Sequence, residues 1–344
     1  MSSVTLYPGR ACHLGSQQVM FRSRIFAGWC VCALALWAGL FTTFDSVRFF
    51  IEHWYYAGMM VAGAFVAGFT PEGGGAVAFP VLNVFLHVDR VLARDFSMMI
   101  QSVGMTSASI FILSHKDTVI RDFKPLILFI PVCIVGFLLG VLLLQQIHVY
   151  LIQAFFLSLS ATFVIAYFFS DHRGSRSQLE VKSGRDVFYL GVILILGGML
   201  SSLFGTGADV VLYTVLVTRF SMTAKMSTRM SIVLQASVSI FGYSYRAFVD
   251  HGLTNYQIKT WLCAYPVVLF MAPFGAYVLS RLHVNWMLKT IIGLNIFQLL
   301  YFNLSEPSVN KAVASTVFSL LLSVIFFYAL SQMARPQRSA VESV

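Results

Sequence analysis

Twelve apolar runs separated by short polar loops take up most of this 344-residue chain, and they constrain its fold more than any other feature. They are Ile25 to Phe44, Tyr55 to Phe69, Val77 to Leu86, Phe96 to Leu113, Leu126 to Leu144 and Tyr150 to Phe169, then Val187 to Phe204, Val210 to Val217, Met226 to Tyr245, Thr260 to Leu279, Trp286 to Tyr301 and Ala312 to Leu330. A helix needs roughly 20 apolar residues to cross a bilayer, and in hydrocarbon every backbone N–H and C=O must be paired. The runs therefore predict an all-α polytopic membrane protein. Hydrophobic residues make up 58% of the sequence and charged ones 11%. With a mean hydropathy of +0.79, an ordinary soluble domain is excluded, and little length is left for an extramembranous one.

The net charge of +9 does not point to nucleic acid, because the basic residues are dispersed over loops and tails. They report orientation instead, since loops rich in Lys and Arg stay cytoplasmic. The amino-terminal segment with Arg10, Arg22 and Arg24 reads as cytoplasmic, as do the loop with Lys116, Arg121 and Lys124, the central stretch with Arg173, Arg176, Lys182 and Arg185, and the tail with Arg335 and Arg338. Both termini are expected inside. The loops Gln145 to Val149 and Asn303 to Asn310 hold neither Lys nor Arg and read as external. The first run is too long for a cleaved signal peptide and reads as a signal anchor. The five cysteines show no CxxC spacing. No two histidines fall at helical spacing, which disfavours haem or a metal centre, and no phosphate-binding loop appears. No cofactor is expected.

The polar stretch from Asp171 to Asp186 divides the chain, and the order of long and short runs repeats on either side of it. The expected organisation is a tail and anchor helix over 1–54, a first repeat over 55–170, a cytoplasmic linker over 171–186, a second repeat over 187–302, and a last helix and tail over 303–344. Each repeat is a glycine-broken hairpin followed by three spanning helices. EGGGAVAFPVL from Glu72 aligns without gaps on TGADVVLYTVL from Thr206. The charge pattern closes only if the first hairpin enters from outside and the second from the cytoplasm, so the repeats are expected to be inverted. That count gives eight full spans and two hairpins.

Non-helical backbone at membrane depth is tolerated only against protein or a water-filled cavity, and matched breaks in inverted repeats point to a transporter's binding site. The short helices after Gly75 and Asp209 turn their amino termini inward, where free N–H groups and the helix dipole favour an anion. Gly73, Gly74 and Gly75 in one half, and Gly205, Thr206 and Gly207 in the other, are the candidate cradle, with Thr70 beside them. Ser97 and Gln101 lie one turn apart on the next helix, and Ser231 and Gln235 repeat the spacing. Thr228 and Gln235 join the candidate lining, with Arg229 as its cation. Arg90, Arg94, Asp89 and Asp95 read as interfacial.

GFTPEGGGAVAFPVL and SSLFGTGADVVLYTVL, with Ala93 and Ser97 and then Ala224, Ser227 and Thr228 opening the following helices, resemble the paired signature of the TauE/SafE sulfite exporter family. Gly136, Gly140 and APFGAYVLSRL from Ala272 look like its later helices. The resemblance covers about Tyr55 to Tyr301. It implies a permease of a bacterial inner membrane that moves sulfite, sulfoacetate or another organosulfonate, coupled to an ion gradient. This chain departs from the pattern at Pro71-Glu72 and Ala208-Asp209, which place two carboxylates at the breaks, and at Thr214, which replaces a proline. Ionisable residues inside a membrane are functional candidates by default. A carboxylate repels an anion unless it carries a proton, so one or both of Glu72 and Asp209 are expected to take up a proton with the solute. Asp209 is equally placed to cap the short helix that follows. Two further classes remain open on these residues: an intramembrane aspartyl-protease-like enzyme using GTGAD with Glu72, and a receptor that binds a solute without moving it.

Overall fold

The computed structural model describes residues 9–82, 86, 88–115, 118–144, 148–169, 174, 176–181, 183–305 and 307–341. Lys116, Arg173, Lys182, His87, His172 and positions 145–147 of one expected external loop lie outside the described residues. The described chain is helical throughout, with α1 Gly9–Thr43, α2 Val47–Glu52, α3 Tyr55–Phe69, α4 Gly75–Pro80, α5 Arg90–Ser114, α6 Leu126–Leu143, α7 Val149–Phe169, α8 Gly184–Phe204, α9 Ala208–Thr218, α10 Ala224–Ser244, α11 Asn255–Arg281, α12 Val284–Ser305 and α13 Val309–Val341. A 3₁₀ turn, Ile120–Phe123, precedes α6, and a π-helical turn, Tyr245–Val249, extends α10.

Every apolar run falls on a helix of its own. The exception in extent is the third, where α4 stops at Pro80 instead of running to Leu86. Proline has no N–H to continue the ladder, and the next bonds are wide, with Leu86 N–H reaching Val81 O and Val88 N–H reaching Leu82 O. The helix α2 went unanticipated because its six residues, held by an Arg48–Glu52 pair one turn apart, are too few and too polar to register as a run.

Among the described residues seven helices are long and apolar enough to cross a membrane: those of α1, α5, α6, α8, α11, α12 and α13. The outer faces carry bare aliphatic side chains, with Ile127, Leu128, Leu142, Leu304 and Val324 each at least 70% exposed. A surface like that is stable against lipid and not against water. The inner helices are the reverse, for every residue of α9 is buried, as is most of α5. The chain is a multi-pass integral membrane protein.

The packing is organised around two close crossings, α3 on α11 and α6 on α8, with α5 against α10 and α7 against α12 and α13. At the first, a methyl on Gly68 would run into the Ala272 carbonyl and one on Gly275 into the Phe65 carbonyl. At the second, Gly198 meets the Cys133 carbonyl and Gly136 the Ile195 carbonyl. Gly136 and Cys133 each precede Gly275 and Ala272 by 139 positions, while Phe65 and Gly68 each precede Ile195 and Gly198 by 130. The same four-residue contact thus occurs twice with the halves exchanged. Small residues let the backbones approach this closely, as membrane helices require in the absence of a hydrophobic drive between them.

The central polar stretch docks rather than simply connecting. Arg176 N–H donates to Ser221 O and Thr223 N–H to Arg176 O, at 3.1 and 2.9 Å, and Arg219 pairs with Asp186 at 2.8 Å. The described part of the linker is therefore tied to the α9–α10 turn.

Candidate functional site

Each break is a few residues of non-helical chain between a long arm and a short one. In the first, α3 ends at Thr70, whose hydroxyl turns back to Val66 O at 2.9 Å, and residues 71–74 turn before α4. Gly73 takes a φ of +67°, the left-handed region that suits glycine. In the second, Gly205 caps α8 at φ +75° and Gly207 follows at +135°. The crossings place the second arm one turn further from its break, since Gly68 lies five residues before Gly73 and Gly198 nine before Gly207. The gapless alignment therefore holds for the breaks and not for the arms that lead into them.

The two breaks touch. Thr206 Oγ1 donates to the Glu72 carbonyl at 3.2 Å and lies 3.3 Å from Asp209 Oδ1. Thr70, Glu72, Thr206 and Asp209 are all 2% exposed or less. From α5, Gln101 Nε2 donates to Gly205 O at 2.8 Å and to Ser97 Oγ at 3.0 Å. From α10, Gln235 Nε2 donates to the same Gly205 O at 3.1 Å. One carbonyl in the second break thus gathers a glutamine from each half.

The amino terminus of α9 is already occupied. Gly207 N–H and Val210 N–H both donate to Asp209 Oδ1 at 3.0 Å, and Ala208 N–H donates to Ser201 Oγ at 3.0 Å. Asp209 therefore does the work of a cap, and the donors expected to face an anion are engaged by the protein's own groups in this conformation. Glu72 is less well supported. Asn295 Nδ2 on α12 donates to its Oε1, while Oε2 is buried with no hydrogen-bond partner among the described residues.

Not every expected residue joins this cluster. Thr228 donates to Ala224 O at 2.9 Å and meets Met287 Sδ on α12 at 3.8 Å, and Ser231 returns to Thr228 O. Arg229 is half-buried on α10 beside Lys225. Arg94 and Asp95, expected at the membrane interface, are 5% and 1% exposed. The reason is a charge cluster: Arg94 binds Asp95 at 2.8 Å, Arg246 from the π-turn binds Asp95 at 2.8 Å, and Gln257 on α11 donates to it at 3.0 Å. Arg246 also pairs with Asp250. Asn295 and Ser201 are contributors that the sequence reading missed. Asn295 carried a signal, being an amide in the middle of the apolar run Trp286 to Tyr301.

A cavity of about 120 Å³ opens beside the breaks, between α4, α7 and α12. Gly75 and Thr206 line it together with Phe79, Phe156, Phe204, Phe297 and Phe302, with Gln153 and Gln298 as polar points. Among the described residues no Lys or Arg lines it.

A model of the family described as Sulfite exporter TauE/SafE matches residues 55–302, from the start of α3 almost to the end of α12. No curated protein and no solved structure matches the chain. The match takes in both breaks, both crossings and well over half of the sequence, and the chain belongs to the TauE/SafE sulfite exporter family of membrane transporters.

Proposed function

We propose that this protein is a secondary transporter that moves a small anion, sulfite or an organosulfonate, through the point where the two breaks meet. One observation carries the reading: a break from each half of a TauE/SafE chain comes together at Thr206 and Glu72, both buried, beside a cavity lined by Thr206 and Gly75. Broken helices at the interface of repeats are where secondary transporters hold their solutes. The exchange of partners between the α3–α11 and α6–α8 crossings supports reading the halves as inverted repeats that rock against each other. In this scheme both termini are cytoplasmic.

Two buried carboxylates oppose an anion unless positive charge arrives with it. Uptake of a proton at one or both of Glu72 and Asp209 supplies that charge and couples the anion to the proton gradient. The donors now held by Asp209 become available when the carboxylate is neutralised and releases Gly207 and Val210 N–H. Purified protein in proteoliposomes, loaded in turn with sulfite, sulfate, thiosulfate, short sulfonates and carboxylates at two pH values, tests the reading. The expected result is flux of at least one sulfur oxyanion, faster when the side it leaves is acidic. Absence of flux with every anion overturns the assignment. If Glu72→Gln and Asp209→Asn both keep the wild-type pH dependence, proton coupling at these residues is wrong.

A further inference from the structure

Acceptors outnumber donors where the breaks meet. The Gln101 amide is fixed in orientation, because its Nε2 donates to two carbonyl oxygens, Gly205 O at 2.8 Å and Ser97 O at 3.2 Å. Its Oε1 must then face the other way, where it is buried without a hydrogen-bond partner among the described residues. Gln235 is different, since its Oε1 accepts from Ser201 Oγ and its Nε2 also reaches Ser239 Oγ. Asp209 is likewise two-sided. Its Oδ1 takes the backbone donors, while Oδ2 has only a 3.4 Å contact with Thr206 Oγ1.

These open oxygens converge. A methyl built on Gly73 would lie 2.7 Å from Gln101 Oε1, 2.9 Å from Thr206 Oγ1, and in collision with Asp209 Oδ2. Three oxygens from three separate segments therefore converge on the space that a side chain on Gly73 would enter. Thr206 Oγ1 adds the Glu72 carbonyl at 3.2 Å. The two oxygen–oxygen spacings, 3.2 Å from Thr206 Oγ1 to Glu72 O and 3.4 Å to Asp209 Oδ2, are close to the edges of a coordination shell with ligand distances of about 2.3–2.6 Å.

We propose that Asp209 Oδ2, Thr206 Oγ1, Gln101 Oε1 and the Glu72 carbonyl form a binding site for a monovalent alkali cation, sodium in the first instance, that moves with the anion. The inference rests on the breaks being the transport site and adds a metal ion to the coupling there: the ion sits at Asp209, and Glu72, whose carboxylate is turned to Asn295, keeps the proton. Hard cations select oxygen ligands of this kind, and unwound backbone at a helix break is a recurrent source of them in transporters. The ligand set is one carboxylate oxygen with three neutral ones. That matches a single positive charge better than Ca²⁺, which takes six to eight oxygens, or Mg²⁺, which demands a near-ideal octahedron. Gly73 is part of the design, because any side chain there would fill the corner.

The test needs no transported anion. Thermal unfolding of the purified full-length protein is followed as sodium chloride replaces choline chloride at constant ionic strength, and ²²Na⁺ binding is measured on the same preparation. A saturable rise in unfolding temperature with sodium, lost in Asp209→Asn and in Gln101→Leu and retained in the distant carboxylate variant Asp250→Asn, is expected. Equal unfolding temperatures in sodium and choline, or a sodium shift that survives both site variants, overturns the proposal. Should Asp209→Asn fail to fold, Gln101→Leu and Thr206→Val carry the same decision. A negative result leaves anion flux standing, and a sodium shift without flux of any anion would instead sink the transport reading.

Discussion

Gly73 meets two demands that no other residue type meets together. Its φ of +67° is strained by about 1–2 kcal/mol for an L-residue, and a methyl on it would run into oxygens of Asp209, Gln101 and Thr206. Its neighbour Gly74 has an ordinary φ of −68°, and a methyl there would touch Ala67 at 3.4 Å, a normal contact. Gly73→Ala is therefore expected to lower the unfolding temperature by several degrees while Gly74→Ala stays close to wild type, as thermal melts of the two variants will show. Equal melts would mean that the turn relaxes freely. The glycines and the two carboxylates were legible in the sequence because their types are out of place in an apolar run. Asn295 and Ser201 were not assigned, since an amide or hydroxyl in a membrane helix reads the same whether it meets Glu72 or merely glues helices together. Thr228 followed from an alignment on alanines, whereas the structure places Gln101 and Gln235 on one carbonyl.

At the scale of elements, the cluster around Asp95 ties α5 to the consecutive pair α10 and α11, about 150 residues away in sequence. Arg94 and Asp95 belong to α5, Arg246 to the π-turn after α10, and Gln257 to the first turn of α11, where it also completes a capping box with Thr254. The Arg94 carbonyl packs on Gly205, so the cluster adjoins the second break. Removing one partner from a buried pair leaves an uncompensated charge and costs about 3–5 kcal/mol. Asp95 keeps Arg94 and Gln257 when Arg246 is lost, so Arg246→Gln is expected to destabilise the protein by less, about 1.5–3 kcal/mol, and Asp95→Asn, which leaves the buried Arg94 without its carboxylate, by the full amount. Unfolding measurements on the two variants decide it, and equal losses would show that packing rather than charge is at stake. Charge spacing at a helix end reads as an interfacial flourish in one dimension. Only the docking of the α10 turn over α5 turns it into a buried strut, and nothing local to either segment encodes that docking.

At the scale of the whole molecule, the helix inventory was written almost entirely in hydropathy, because lipid removes every alternative to a paired backbone. The pairing of those helices was not, since aliphatic faces that meet lipid and those that meet protein have the same composition. What the sequence does carry is the placement of small residues. Gly136 and Gly198 hold α6 against α8 through backbone contacts, and Gly68 and Gly275 hold α3 against α11 in the same way. If these crossings fix how each hairpin arm rests on the opposite half, enlarging one residue must matter far more than enlarging a glycine on the outside of the same helix. Gly198→Leu has no route past the Cys133 carbonyl, and overpacking of this kind costs about 1–3 kcal/mol or more. Gly191, on α8 two turns earlier, has open space around it. Gly198→Leu is therefore expected to abolish anion flux and lower thermal stability, and Gly275→Leu at the equivalent crossing to do the same. Gly191→Leu should melt and transport as the wild type does. Matching losses in the two crossing variants would support two functionally equivalent halves. A severe loss in one with no effect in the other would mean that only one half moves.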